Sequence, residues 1–148
     1  MEQQPQVTAT ASDDTIVAAA TPAGGGALGI VRISGPDAIA VVDAVWQGAS
    51  LAGAATHTAH LGYVRNEKGE ILDQAVATVF RGPRSYTGED SVELTLHGSA
   101  WIMREVINLL LRNGARGAEP GEFSRRAYMN GRMDLASAEG VADLIAST

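Results

Sequence analysis

The first residue placed to do chemistry is an arginine inside a strand-like run. The stretch Ala27-Leu28-Gly29-Ile30-Val31-Arg32-Ile33-Ser34-Gly35 follows a glycine triplet, Gly24-Gly25-Gly26, whose backbone can enter positive-φ regions and approach another surface closely. Counting by twos, Arg32 shares a face with Leu28 and Ile30, while Val31 and Ile33 take the other. A guanidinium in that company must reach a strand end or meet an anion, because an unpaired buried charge is costly. Two readings stay open: a structural salt bridge, or an arginine held for a carboxylate ligand with the glycine loop as its rim.

A second candidate lies in the run 89–97. Val92, Leu94 and Leu96 face one way, and Ser91, Glu93, Thr95 and His97 face the other. This is a strand with one wet face, and Glu93 lies on it. His97-Gly98 has the residue type for acid–base work, but no serine or cysteine nucleophile motif stands beside it. His57 and His60, in a polar connector, read as solvated. Between Ser99 and Met133 six arginines (Arg104, Arg112, Arg116, Arg125, Arg126, Arg132) face three glutamates, a local +3 in a chain of net charge −6. That asymmetry suits either an anionic ligand or a solvated helix face. The overall negative charge argues against a domain that grips nucleic acid by itself.

Other chemistries are excluded by composition. There is no cysteine, hence no disulfide, zinc–thiolate site or thiol catalysis. No GxxxxGK[ST] loop occurs, and the glycine triplet leads into a strand-like run instead of a helix, the wrong order for cradling a pyrophosphate. Binding of GTP or NAD by this chain is therefore not expected. No apolar run approaches the roughly 18 residues of a membrane span. The first twelve residues lack the charged-then-apolar order of a signal peptide and read as a disordered tail, so a cytoplasmic location is expected.

The elements that must position these residues can be read in order. Residues 14–20 form a first strand and 27–35 a second. Pro36 opens a helix with Ile39, Val42 and Val45-Trp46 at helical spacing, ended by Gly48. A hairpin follows, with arms 60–65 and 71–80 around a turn at 67–70. A turn-rich loop, Arg81-Gly82-Pro83-Arg84-Ser85-Tyr86-Thr87-Gly88, leads to the strand 89–97. Ser99 caps a helix to Arg112 with Ile102, Val106, Leu109 and Leu110 on its buried stripe, stopped by Asn113-Gly114. Pro120 starts a short helix ended by Asn130-Gly131. Asp134 caps a last helix that shows no stop signal, as expected of a chain that continues. The sum is an α+β domain with a mixed sheet of about five strands and flanking helices.

Four ordered motifs give the chain a specific likeness. DTIVAAATP, GALGIVRISG, GPRSYTGEDSVEL with LHG, and PGEFSRRAYMNGRMDLASAEGVADLI resemble the N-terminal part of the MnmE/TrmE family of tRNA-modification GTPases. The resemblance implies a folate-binding, dimer-forming module similar to the tetrahydrofolate domain of the glycine-cleavage T-protein, over residues 13–131. A tail at 1–12 would precede it, and residues 132–148 would begin a truncated helical domain. Carried over residue by residue, the family's folate contacts fall on Arg32, Glu93 and Arg132. A carboxylate such as Glu93 suits the adjacent N–H donors of a pterin edge, and arginines suit the carboxylates of the folate tail. Arg132 stands where the family more often has lysine, which keeps the charge and changes the donor geometry.

By the same resemblance the ligand is 5-formyltetrahydrofolate or another reduced folate. The full-length family hydrolyses GTP with magnesium and potassium bound outside this chain, and no GTPase activity is expected here. The implied partners are a second copy of the chain, an MnmG/GidA-type flavoprotein and tRNA, whose wobble uridine receives a one-carbon unit at carbon 5; no membrane is implied. The alternative is a purely structural dimerisation module that binds no ligand.

Overall fold

Period-two patterning dominates the middle of the chain, and in the computed structural model, which describes residues 14–21 and 26–132, it becomes one antiparallel platform. The strands are β1 (Ile16–Ala19), β2 (Leu28–Ser34), β3 (Trp46–Gln47), β4 (Thr58–Arg65), β5 (Ile71–Phe80), β6 (Ser91–His97) and β7 (Arg116–Gly117). Their order is β3-β4-β5-β6-β2-β1-β7, antiparallel throughout except for the parallel β1–β7 edge. The sheet thus has seven strands where about five were expected. The two additions, β3 and β7, are two-residue strands at the sheet's edges. Three helices among the described residues accompany the sheet: α1 (Ala38–Asp43), α2 (Ala100–Arg112) and α3 (Glu122–Met129).

The core lies on the face covered by α1 and α2. Val31 and Ile33 of β2, Val92, Leu94 and Leu96 of β6, and Ala75, Ala77 and Val79 of β5 are buried there with Met103, Val106, Leu109 and Leu110 of α2. Each large aliphatic side chain so buried contributes about 1.5–3 kcal/mol. Ser99 caps α2 as expected, its Oγ accepting from the Ile102 N–H at 3.3 Å. Met103 takes the buried position expected of Ile102, which packs half-buried at the margin.

The first helix differs from its sequence pattern. It begins after Asp37, not at Pro36, and ends at Asp43. Val45 and Trp46 were expected to continue its apolar stripe. Instead Trp46 pairs across to Val64 as part of β3, and Asp43 Oδ1 accepts the Leu51 N–H at 2.8 Å, turning the chain back. The indole packs so closely on β4 that a Cβ at Gly62 would come within 2.5 Å of it. The third helix starts at Glu122 behind a left-handed Gly121, two residues later than Pro120 suggested. The tail at 1–12 and the helix expected from Asp134 lie outside the described residues.

On the sheet's other face, register aligns residues in rows. Ile30, Thr95, Val76 and Leu61 stand opposite one another across β2, β6, β5 and β4, and the next row is Arg32, Glu93 and Thr78. This is the wetter face anticipated for Glu93, and it brings both candidate residues to one point. No helix among the described residues is long and apolar enough to cross a membrane.

Candidate functional site

Arg32 and Glu93 are direct cross-strand neighbours, with Arg32 Nε donating to Glu93 Oε2 at 3.0 Å. Both side chains are about one-quarter exposed. The arginine in the strand therefore meets its anion within the fold, and the pair remains open to solvent. Two rings frame it: the guanidinium carbon lies 5.1 Å from the centroid of Tyr86 and 5.5 Å from that of Phe123. Such contacts hold a guanidinium plane in place while leaving its edge free. A carboxylate has about four lone-pair sites, so Glu93 retains acceptor capacity beyond its bond to Arg32. The two residues that resemblance assigned to opposite ends of one ligand stand side by side.

Tyr86 also belongs to an open cleft of about 410 Å³ lined by His57, Phe80, Arg84, Ser85, Tyr86 and Arg132. The volume falls within the range of small-molecule sites. Phe80 and Tyr86 supply aromatic surface, and Arg84 and Arg132 supply positive charge. Among the described residues neither guanidinium has an acidic partner, in contrast to Arg32, Arg112, Arg116, Arg125 and Arg126. His57, read from sequence as solvated, stands on the wall of this cleft. Its ring meets Phe80 edge-on at 5.2 Å and its backbone has φ of 62°, uncommon for a residue other than glycine.

The loop 81–90 carries much of this wall, and its back is fastened to the protein. Ser34, Thr87 and Ser91 are buried together with hydroxyl contacts of 2.6 Å (Ser34–Thr87) and 3.0 Å (Ser91–Ser34). Ser34 also donates to Glu89 at 2.9 Å. Glu89 in turn meets Arg126, whose side chain is 3% exposed and contacts Asp14 at 2.6 Å and Glu122 at 3.2 Å. Arg116 closes the cluster on Asp14 and Glu122, each at 2.6 Å.

These contacts set the local protonation. Hydrogen bonding from Arg116, opposed by burial and aided by Arg126, holds the Asp14 carboxyl below its ordinary value. Burial pushes Glu122 up, but the bond from Arg116, the Glu119 N–H and the nearby guanidinium charges outweigh it and lower the pKa. Arg116 is raised by its bonds to Asp14 and Glu122. Every charge here is answered inside the fold.

Arg132 is positioned from the same loop. Asn130 Nδ2 donates to the Thr87 carbonyl at 3.0 Å, tying the end of α3 to the loop. Gly88 has φ of 85°, and a Cβ there would lie 2.8 Å from Asn130 Cβ and 3.2 Å from Arg132 Cγ. Only glycine lets the loop and the chain after α3 come this close.

The other candidates are accounted for. His97 Nδ1 lies 2.7 Å from Asp73 Oδ1, and Asp73 Oδ2 accepts the His97 N–H at 2.8 Å. The local arginine excess is mostly consumed by internal pairs, for Arg112 meets Glu67 and Arg125 meets Glu119. Tyr86, Arg84 and the buried cluster were not picked out from the sequence. The one local signal was Glu122 and Arg126 four apart, the spacing that puts two side chains on one helix face.

Comparison with known proteins places this geometry in context. Residues 15–132 match the family model described as "GTP-binding protein TrmE N-terminus". A protein of Cytophaga hutchinsonii named tRNA modification GTPase MnmE is 54% identical over 140 residues, which cover 95% of this chain and 30% of that protein. Proteins of the same name from Chlamydia trachomatis (51% over 135 residues, 91% of this chain) and Flavobacterium johnsoniae (48% over 139 residues, 92% of this chain) are similar, and 30% of each is matched. The chain thus spans about 30% of the length of these relatives.

Proposed function

The chain belongs to the TrmE N-terminal family, and from that premise we propose that it is the folate-binding, dimer-forming part of a tRNA-modification GTPase. In this reading Glu93 accepts the adjacent N–H donors of a reduced pterin such as that of 5-formyltetrahydrofolate. Arg32 orients the Glu93 carboxylate and adds positive charge beside it. Arg132 serves the carboxylated remainder of the ligand from the cleft beyond Tyr86. The one-carbon unit of the folate would then be used at carbon 5 of a tRNA wobble uridine, together with an MnmG-type flavoprotein, in the cytoplasm. GTP hydrolysis, with its magnesium and potassium, is assigned to the remaining length of the relatives.

The observation that carries the reading is the half-open Arg32–Glu93 pair framed by Tyr86 and Phe123 beside a cleft whose two arginines have no acidic partner among the described residues. A ligand with a hydrogen-bonding heterocycle at one end and carboxylates at the other fits that sequence of groups. The second reading, a structural dimerisation module without ligand, draws on the same 3.0 Å ion pair, which already satisfies both charges.

Titration calorimetry with 5-formyltetrahydrofolate separates them. The first reading predicts saturable binding that Glu93→Gln weakens tenfold or more, the worth of a charge-assisted bond of about 1.5–3 kcal/mol. Melting should hardly change, since a partly exposed ion pair contributes only about 0–1 kcal/mol. Unaltered affinity in Glu93→Gln sinks the assignment. An unfolded variant would mark the pair as structural.

A further inference from the structure

The cleft has more positive charge than a single arginine contact requires. Arg84 and Arg132 line it from different parts of the chain, one on the loop 81–90 and the other just after α3. Neither has an acidic partner among the described residues, and both are exposed. Phe80 and Tyr86 give the same cleft two aromatic surfaces. Aromatic walls with arginines at hand suit an aryl group that carries several carboxylates, each able to accept a forked pair of N–H bonds. The loop itself is held from behind by the buried Ser34–Thr87–Ser91 hydroxyls and by Glu89, so Arg84 projects from a fastened base.

Resting on the folate reading above, we infer that this cleft receives the aryl-glutamate end of the ligand and favours oligoglutamylated folates, with Arg84 the residue that reads chain length. Each γ-linked glutamate adds one carboxylate to the tail. A monoglutamate offers two carboxylates, which Arg132 alone can engage. A longer tail extends toward solvent, where the exposed Arg84 meets the additional anions. These contacts are screened, so the preference is largest at low ionic strength.

The test compares the monoglutamate and triglutamate forms of 5-formyltetrahydrofolate by titration calorimetry on the 148-residue chain, at low and high salt. Two extra carboxylates beside the exposed Arg84 predict triglutamate binding tighter by up to about tenfold at low salt, with the advantage shrinking as salt rises. Arg84→Ala should bring the ratio of the two affinities to within about twofold. Arg112→Ala, which removes an exposed arginine already paired with Glu67, should keep the parent ratio. Glu93→Gln should weaken both ligands and leave the ratio standing. If the parent binds both forms equally, the inference falls and the folate reading survives. If the ratio persists in Arg84→Ala, Arg84 does not read the tail. If neither form binds, both proposals fall together.

Discussion

The loop 81–90 contributes to two arginine-rich regions that use charge in opposite ways. Through Glu89 and Thr87 it joins a closed cluster in which Arg116 and Arg126 are matched by Asp14, Glu89 and Glu122. Through Arg84, Ser85 and Tyr86 it walls an open cleft in which Arg84 and Arg132 have no acidic partner among the described residues. Counting arginines cannot tell these apart, because both regions draw on the same basic stretch. What separates them is burial and partner geometry. Arg126 is 3% exposed and answered by three carboxylates, whereas Arg84 and Arg132 face solvent. Closed charge fixes the loop, and open charge stays at the surface of the cleft.

Removing a cation from the closed side should cost the most stability. Arg126→Met leaves the largely buried Glu89 without a cation and Asp14 and Glu122 with Arg116 alone, and removing one partner of a buried ion pair costs about 3–5 kcal/mol. Urea denaturation should show that loss, while Arg84→Ala should unfold within about 0.5 kcal/mol of the parent. Equal stability in the two variants would erase the distinction.

Acid probes the same side without mutation. The folded pKa values of Asp14 and Glu122 lie below the ordinary 3.8 and 4.5, so the folded state holds these protons less tightly than the unfolded chain. Their stabilising contribution is complete above the ordinary values and is lost as pH falls through the lowered ones. Stability should be level from about pH 7 to 5 and decline below about 4.5, and Asp14→Asn should flatten that decline. A chain equally stable at pH 3 and pH 7 would speak against the closed cluster.

A smaller effect tests whether the two sides are coupled. Gly88→Ala imposes a side chain at φ of 85° and a clash with Asn130. It should cost about 1–3 kcal/mol and also weaken folate binding, because Arg132 is displaced from the cleft. Loss of stability with unchanged affinity would show that Arg132 does not depend on this packing.

What the sequence disclosed depended on the range of the forces involved. The alternation of Val92, Leu94 and Leu96 and the cap at Ser99 are local, and both are present in the fold. The need of Arg32 for an anion was legible, but its partner lies 61 residues away and was fixed only by the β2–β6 register. Trp46 continued a helical apolar period until its pairing with Val64 overrode it. β7 has only two residues and exists because Arg116 and Gly117 lie alongside β1. The closed cluster joins residues as far apart as Asp14 and Arg126, so its members looked like surplus surface charge. Tyr86 sat unnoticed among turn formers, since nothing local says that its ring lies over Arg32.

The most direct test is a map of the ligand on the protein. Amide chemical shifts of the isotopically labelled chain, followed while 5-formyltetrahydrofolate is added, report where it binds. Saturable shifts are expected at Arg84, Tyr86, Glu93 and Arg132, with the hairpin turn at 67–70 unmoved. Shifts confined to other surfaces, or none at saturating folate, would contradict it.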